Sequence, residues 1–382
     1  MVRQITSLLI RLGRFIVAFF LLFAPTLTSA QSIPPTLGWY QIPNTNLRSV
    51  CPPNNFGGSS YNFTDQCQNV TAAWNSAAFD TTRNRLIMWG GGHNDYYGNE
   101  IYALNLNSLT VERLTDPGLP LATSCQEAIA GGTQPNSRHT YDSIVYMPNV
   151  DKLFVQGGCP ACLNGGFVNG TWVFDFATSS WQRRYPSGKI PSAAAGIVAD
   201  YDSNTGKVFL HDDQYLYSYT YSTNAFRQLS NYHGIDYHMT GVIDPKRKKF
   251  VIIGGGQAWI HDISGRSYNA QTLRTTGGST IINSGYPGLA YDPVTDRIVA
   301  WNGGNTVYSL NLDRKAWTAT TYPGGPGSAF RSGTYKRWSY SPTSGVFVVL
   351  NSVDSGAYTF RLTSGSPDTD PPVPPSKLTA PD

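Results

Sequence analysis

The sequence predicts an all-β fold, a six-bladed β-propeller closed by a strand from the N-terminus. The chain has 382 residues, of which only 14% are charged, and it is rich in glycine, proline and aromatic residues. This composition favours short strands joined by tight turns. A pattern of four short strands also recurs along the chain, which is the mark of a repeat architecture. A helical bundle or a doubly wound nucleotide-binding fold is therefore disfavoured.

Residues 1–30 have the order of a secretory signal peptide: positive charge, an apolar run and then small residues. These parts are Arg3, Arg11 and Arg14, then Phe15 to Phe23, then Thr28 to Ala30. An uncleaved membrane anchor is the alternative. Cleavage would remove three arginines and no acid, so the formal charge would fall from +4 to about +1. We therefore expect a secreted protein, extracellular or periplasmic, with no nucleic-acid partner and no membrane attachment after cleavage.

One unit of the repeat is complete between Arg138 and Arg183. Its strands are Arg138 to Tyr146, Lys152 to Gly158, Thr171 to Phe176 and a last strand around Trp181. Turn residues separate them, as in one blade of a propeller. The same order recurs in five other segments, so we assign residues 31–363 to the propeller.

The last blade, which ends at Leu362, lacks a fourth strand, whereas Leu37 to Ile42 near the N-terminus is a strand without a partner. Pairing the two would close the ring and cover both free sheet edges. Six blades then average about 54 residues, close to the period of kelch repeats. A seventh blade would have to lie within residues 43–70 or 115–137, and neither segment contains paired strands.

Several blades share a residue pattern: two glycines after the second strand, an aromatic residue in the third and a tryptophan in the fourth. The residues are Gly157, Gly158, Trp172 and Trp181, and again Gly303, Gly304, Tyr308 and Trp317. This pattern resembles the kelch repeat of galactose-oxidase-like propellers. The resemblance implies the fold and says little about function, because propellers include both enzymes and binding proteins.

The tail at residues 364–382 is rich in proline. Its segment Asp368 to Ala380 resembles the linker and opening strand of a fibronectin type III module. A solvated polyproline II tail is the equally good alternative.

Five cysteines in an exported chain are disulfide candidates first. We expect Cys51 to pair with Cys67, and Cys125 to pair with either Cys159 or Cys162. The segment from Cys159 to Cys162 has the spacing of a redox motif, but no βαβ unit surrounds it.

In a propeller, the loops between second and third strands open on the same face as the segments that enter each first strand, and this face is the usual place for a site. Five of the six histidines fall there, and His261 lies elsewhere. The candidate catalytic residues are His93, Tyr96, His139, Tyr237 and His238. The candidate substrate-binding residues are Asn94, Arg138, Arg331, Tyr335, Lys336 and Arg337. The candidate metal ligands are Asp95, His211, Asp212 and Asp213.

These residue types favour eliminative cleavage of an extracellular, uronate-containing polysaccharide. A lyase needs a cation to neutralise the uronate carboxylate, a base for the proton next to it and an acid for the leaving oxygen. Arginine, histidine and tyrosine provide these groups without any cofactor. A non-catalytic carbohydrate-binding propeller is the main alternative, since aromatic and amide side chains also grip sugar rings.

Two further chemistries remain open. A glycoside hydrolase would need two facing carboxylates, for which Asp95 and the pair Asp212 and Asp213 are the candidates. A copper-radical oxidase would need two histidines, two tyrosines and a cysteine beside one tyrosine; the sequence places no cysteine next to a tyrosine of this face, and its cysteines are expected to be paired. Structural Ca²⁺ or Zn²⁺ is a further alternative at His93 with Asp95 or at His211 with Asp212.

Overall fold

Six small antiparallel sheets form a ring in the computed structural model, which describes residues 32–122, 124–129 and 131–364. The predicted signal peptide and most of the proline-rich tail lie outside the described residues. The all-β, six-bladed propeller fold is thereby confirmed. Among the described residues, no helix combines the length and the apolar character needed to span a membrane.

Each blade has four strands, numbered here from the inside of the ring outward. Blade 1 contains Ala77–Asp80, Arg85–Met88, Tyr102–Asn105 and Thr110–Arg113. Blade 2 contains Ile144–Met147, Lys152–Pro160, Val168–Asp175 and Ser180–Arg184. Blade 3 contains Val198–Asp202, Lys207–His211, Leu216–Thr220 and Ala225–Gln228. Blade 4 contains Thr240–Asp244, Lys249–Gly254, Gln257–Asp262 and Gln271–Thr272. Blade 5 contains Gly288–Asp292, Arg297–Trp301, Thr306–Asn311 and Ala316–Thr321. Blade 6 contains Trp338–Ser341, Val346–Val349, Tyr358–Arg361 and Gly38–Gln41.

The remaining elements are short. Two additional strands flank the sheets of blades 2 and 3: Arg138–His139 and Ser187–Gly188. The α-helices are Phe63–Gln66, Asn69–Ala72 and Ser279–Asn283, and the 3₁₀ helices are Leu47–Val50, Phe56–Gly58 and Tyr335–Arg337.

The N-terminal strand closes the ring as the sequence predicts. Gly38–Gln41 pairs antiparallel with Tyr358–Arg361, with Trp39 opposite Phe360. The Trp39 ring packs 4.8 Å from the Phe360 ring and 5.8 Å from that of Trp338. Closure therefore gains aromatic packing as well as backbone hydrogen bonds, and it covers the strand edge that blade 6 would otherwise expose.

The core is divided among the blade interfaces. The first strand of every blade lies beside the first strands of its two neighbours. Each of the six interfaces holds its own cluster of buried apolar side chains. Both faces of a blade are therefore buried, which explains why the second strands, such as Arg85–Met88, are buried along their whole length.

Aspartates set the turns between the first and second strands. Asp80, Asp202, Asp244 and Asp292 each end a first strand and accept hydrogen bonds from the backbone N–H groups of the following turn. A short carboxylate can bond its own backbone two or three residues on, and this nucleates a tight turn. The repeated aspartates thus fix the inner hairpins of blades 1, 3, 4 and 5.

A buried charged triad lies in the middle of the ring. The Lys336 Nζ atom is 3.4 Å from the Asp142 carboxylate and 3.9 Å from that of Asp200. Asp142 also accepts a hydrogen bond of 2.9 Å from the Gly241 backbone N–H. The triad links blades 2, 3 and 6, and the Gly241 N–H adds blade 4.

The triad predicts a pH effect on stability. Burial raises the pKa of Asp142 to about 7, although Lys336 opposes the shift. Between about pH 4 and pH 7 the folded state therefore holds a proton that the unfolded chain has released. The contribution of Asp142 to stability should fall as the pH rises through this window, by at most about 1.4 kcal/mol per pH unit. Urea titrations should show a flatter pH dependence for Asp142→Asn, and exposed Asp116→Asn should retain the wild-type slope.

Two disulfides are present. Cys51 is bonded to Cys67 as predicted, and Cys125 is bonded to Cys162 rather than to Cys159. Cys159 is a buried free cysteine. The second disulfide ties the long segment before blade 2 to the loop between that blade's second and third strands.

Candidate functional site

Six residues at equivalent positions surround the mouth of the central channel, and we call them the entrance ring. Each lies two or three residues before the first strand of its blade. The ring consists of Trp74, Tyr141, Ala195, Tyr237, Tyr286 and Tyr335. Five of the six are aromatic; Tyr141, Tyr286 and Tyr335 are buried, whereas Tyr237 is exposed and Trp74 is partly exposed. Tyr237 and Trp74 therefore offer ring surface of the kind that suits sugar stacking.

The backbone holds the entrance ring in place. Tyr141, Tyr286 and Tyr335 have φ angles of 47°, 55° and 49°, in the left-handed region that bulky residues rarely adopt. The N–H of Tyr141 bonds to the Trp74 carbonyl at 2.8 Å, and that of Tyr286 to the His238 carbonyl at 2.7 Å. Non-glycine residues in this conformation persist where the surrounding structure over-determines them, and such positions concentrate at functional sites.

His238 and Asp236 form a hydrogen-bonded pair next to this ring. The His238 Nδ1 atom is 3.1 Å from the Asp236 carboxylate, and both side chains are partly exposed, at 36% and 47%. The His238 ring stacks 4.1 Å from Tyr237 and 5.0 Å from Tyr286. Burial raises the pKa of Tyr286 to about 12, so this phenol keeps its proton. This group therefore combines an imidazole base, His238, with two phenol donors, Tyr237 and Tyr286, that contact it directly.

An open cleft of about 480 Å³ begins at this group. Its lining includes Gly285, Tyr286, Asn302, Phe330 and Arg331. A Cβ atom on Gly285 would lie 3.3 Å from the His238 ring, so the cleft wall passes directly beside the histidine. Arg331 is exposed, and in the described part of the chain its guanidinium has no hydrogen-bond or ion-pair partner.

A second histidine–aspartate pair lies on the other side of the ring. The His139 Nε2 atom is 2.7 Å from the Asp95 carboxylate, and the His139 side chain is only 3% exposed. Its ring contacts Trp74 at 5.2 Å and His93 at 6.0 Å. Asn94 is exposed on the same loop. The sequence-predicted residues Asn94, Asp95, His93 and His139 are thus brought together, but His139 is far less accessible than His238.

Two of the predicted site residues are buried within blades. The Tyr96 side chain is fully buried and its hydroxyl donates to Glu100. Arg138 is fully buried: it forms an ion pair of 2.9 Å with Glu127 and donates to the Glu127 carbonyl at 2.7 Å. Neither side chain is exposed on the open face, because the Tyr96 hydroxyl is bonded to Glu100 and the Arg138 guanidinium is bonded to Glu127.

Three predicted substrate-binding residues form the short 3₁₀ helix before the first strand of blade 6, and all three are buried. Arg337 is fully buried and donates to the backbone carbonyls of Leu350, at 3.0 Å, and Asn75, at 3.2 Å. Burial lowers its pKa to about 10. Tyr335 belongs to the entrance ring, and Lys336 belongs to the charged triad. Of the three arginines predicted to bind substrate, only Arg331 is exposed on the face.

The predicted metal ligands are not gathered. The Asp212 carboxylate accepts hydrogen bonds from Ser192 and from the backbone N–H of Gln214, at 2.7 and 2.8 Å. The Asp213 carboxylate accepts a hydrogen bond from the Ser192 hydroxyl at 3.2 Å. Asp95 is elsewhere, bonded to His139. His211 is fully buried at the end of the second strand of blade 3, and its ring lies 5.3 Å from that of His261. Over residues 32–122, 124–129 and 131–364, no three His, Cys, Asp or Glu side chains are arranged as a metal site.

Four of the five cysteines are paired and one thiol is left over, as the choice between Cys159 and Cys162 implied; the expectation that no cysteine lies beside a tyrosine of the face is wrong. Cys159 is unpaired and packs in the same buried cluster as Tyr141, Tyr286 and Tyr335. Burial raises the pKa of its thiol, and the negative charge of Asp95 adds to this shift. A cysteine does therefore lie beside a tyrosine of the face.

Sequence reasoning missed Trp74, Asp236, Tyr286 and Glu127. Trp74, Tyr237 and Tyr335 all stand three residues before a first strand, and Tyr286 stands two before one. This recurrence could have identified the entrance ring. No comparable signal marks Glu127, because its partner Arg138 lies in a different element and only the folded loop brings them together.

Fold and face together define a six-bladed β-propeller with a histidine- and tyrosine-rich opening. No family model matches the chain, and no curated protein matches it. Among solved structures, the chain is similar to a structural genomics protein of unknown function from Bacteroides thetaiotaomicron. The TM-score is 0.52 and the identity 10%, over 85% of this chain and 76% of that chain. A likeness at this identity concerns the fold alone.

Proposed function

We propose that this protein is a secreted polysaccharide lyase that cleaves an acidic, uronate-containing polysaccharide by β-elimination. We also infer that its blades are kelch-like, from the glycine pairs and the tryptophans of the third and fourth strands. Secretion is supported by the composition of residues 1–30 and by the two disulfides, which form in oxidising compartments.

One observation carries the proposal: a single cleft leads from an unpaired exposed arginine to a histidine–aspartate pair flanked by tyrosines. Arg331 and Tyr286 line the same cleft, and Tyr286 contacts both His238 and Tyr237. These are the three kinds of group that elimination next to a uronate requires. Tyr237 and Trp74, the entrance-ring aromatics that are at least partly exposed, add ring surface on which sugars stack.

Each group has a role in the reaction. Arg331 binds the uronate carboxylate and stabilises the negative charge that develops on it. His238, oriented by Asp236, removes the proton from the carbon next to the carboxylate. The electron pair of that C–H bond forms the new carbon–carbon double bond as the bond to the glycosidic oxygen breaks. Tyr237 donates a proton to the leaving oxygen. Tyr286, with its raised pKa, stays protonated and hydrogen-bonds the sugar.

The carboxylates of the face favour elimination over hydrolysis. Hydrolases use two carboxylates that face the scissile bond. Here Asp95 is bonded to His139, Asp236 to His238, and Asp212 to Ser192 and backbone amides. Each acid is committed to a protein partner, which supports a role in orienting other groups.

Copper-radical oxidation is the second candidate, and one observation favours it: free Cys159 lies in the same cluster as Tyr141. Two histidines lie beside this cluster: the His139 ring is 6.0 Å from the His93 ring and 6.2 Å from the Tyr141 ring. The His139 Nε2 atom is, however, bonded to the Asp95 carboxylate, and in the described residues no three His, Cys, Asp or Glu side chains are placed to hold a metal ion. Peroxide release is accordingly an outcome that we do not expect.

Arg331→Ala should lower kcat/KM on the cleaved polysaccharide by on the order of 10²- to 10³-fold, because one preorganised charge is removed from the developing anion. The measurement is the absorbance of unsaturated uronates, with purified protein and a panel of acidic polysaccharides.

Arg266→Ala is the matched control. Arg266 is also exposed, but it lies in the connection between the third and fourth strands of blade 4, on the opposite face. Equal losses in both variants would show a general charge effect and contradict the role of Arg331. Binding to a polysaccharide without any absorbance rise would favour the carbohydrate-binding alternative, and peroxide release with copper would favour the oxidase.

A further inference from the structure

Three histidines cluster between blades 3 and 4, outside the entrance ring and outside the proposed lyase site. His211 ends the second strand of blade 3, His261 lies in the third strand of blade 4, and His233 lies in the loop that joins the two blades. The His211 ring is 5.3 Å from the His261 ring and 6.3 Å from the His233 ring. His211 and His261 are fully buried, and His233 is half-buried against Trp259 at 4.2 Å.

Two of the rings have a fixed orientation. The His261 Nδ1 atom lies 2.7 Å from the Tyr268 carbonyl oxygen, and the His211 Nδ1 atom lies against that of Asp212. A carbonyl only accepts, so each Nδ1 carries the proton and each Nε2 keeps a free lone pair.

The Nε2 atoms of all three histidines are buried and have no hydrogen-bond partner within the described ranges. Buried polar atoms nearly always have a hydrogen-bond partner, and a bound water molecule or ion accounts for many of the exceptions. Three such atoms in one interface therefore point to a common ligand. No acidic side chain is hydrogen-bonded to any of the three rings in the described part of the chain.

This chemistry fits a transition-metal ion. Histidines that bind metals typically donate their other ring N–H to a carbonyl or carboxylate, which fixes the tautomer. Neutral imidazoles suit Zn²⁺, Cu²⁺ and Ni²⁺. Two imidazoles on one tetrahedral zinc ion have ring centres about 5 Å apart, given a Zn–N bond of about 2 Å. The separation of the His211 and His261 rings matches this value, and the separation of the His211 and His233 rings, 6.3 Å, is larger.

We propose that His211, His233 and His261 bind one divalent transition-metal ion through their Nε2 atoms. In the described structure the three nitrogens are not yet assembled around one point, so the partly exposed His233 ring turns inward as the ion binds. The ion fastens the loop of residues 229–239, which also carries Asp236, Tyr237 and His238. The site is independent of which reaction the face performs.

The test uses the whole purified protein, stripped with a chelator and titrated with Zn²⁺ in a calorimeter. We expect one ion per chain and a rise in Tm on binding. His233→Ala and His261→Asn should each weaken binding by more than about 100-fold, since changes in outer-shell residues alone cost 10- to 100-fold. His261→Asn keeps a donor for the Tyr268 carbonyl and loses the Nε2 ligand, and His233→Ala changes a half-buried loop residue.

His93→Asn is the control, because His93 lies on the open face and outside the cluster. Unchanged Zn²⁺ affinity in His93→Asn with loss in the other two variants would establish the site. Absence of wild-type binding would overturn the proposal and leave buried water as the partner of the three nitrogens. Equal affinity in all variants, or loss only in His93→Asn, would likewise overturn it and place the ion elsewhere.

Discussion

His238→Ala is expected to lower kcat for eliminative cleavage by on the order of 10²- to 10⁴-fold, the usual contribution of a positioned general base. KM should change little, because Arg331 and the exposed entrance-ring residue Tyr237 still bind the sugar. Initial rates of unsaturated-uronate formation over a range of substrate concentrations separate the two constants. Asp236→Asn should lose less activity and should shift the pH profile, because Asp236 acts through the histidine.

His139→Ala is the comparison that assigns the base. His139 has the same kind of aspartate partner, but its side chain is 3% exposed, against 36% for His238. We expect a much smaller loss of kcat in His139→Ala. The opposite result, an inactive His139→Ala with an active His238→Ala, would contradict the proposed mechanism and move the chemistry to the Asp95 pair. Circular dichroism and Tm of both variants confirm that they are folded.

Glu127→Ala is expected to lower the free energy of unfolding by about 3–5 kcal/mol, because it leaves Arg138 as an uncompensated buried charge. Glu127 also accepts hydrogen bonds from the Trp172 indole N–H at 2.7 Å and from the Gly170 backbone N–H at 3.0 Å. A Cβ at position 170 would lie 2.2 Å from the carboxylate, so glycine is needed for this approach. Urea unfolding followed by tryptophan fluorescence measures the change.

Glu112→Ala is the matched control, since its carboxylate is 45% exposed and 3.8 Å from Arg85. Its removal should cost less than about 1 kcal/mol. The double variant Glu127→Gln with Arg138→Met should recover much of the lost stability, because it removes the charge together with its partner. A loss below about 1 kcal/mol in Glu127→Ala would show that water reaches Arg138, against the buried arrangement described here.

The sequence was a good guide wherever the information was local and periodic. The strand pattern from Arg138 to Arg183 defined a whole blade, and the unpaired segment Leu37 to Ile42 predicted the closing strand. The pairing of Cys51 with Cys67 also followed from their short loop. The partner of Cys125 was left open, because Cys159 and Cys162 are only three residues apart and the direction of each thiol depends on the folded loop.

The candidate site was only partly predictable, for the same reason. The rule that places loops on one face found His93, His139, Tyr237 and His238. It also selected Arg138 and Arg337, which face inward, because sequence position gives the height of a residue on a blade and not the direction of its side chain.

The sequence by itself determined a six-bladed, strand-closed ring and indicated which face holds the candidate site. Only the tertiary structure decided which charges are buried and which are free: Arg138 is bound by Glu127, Arg337 by carbonyls of other segments, and Arg331 by no described residue. The physical reason is that strand periodicity depends on neighbouring residues, whereas burial and pairing depend on groups that are distant in sequence. The contact of Tyr286 with Tyr237 and His238 is such a case, because Tyr286 is distant from the other two in sequence.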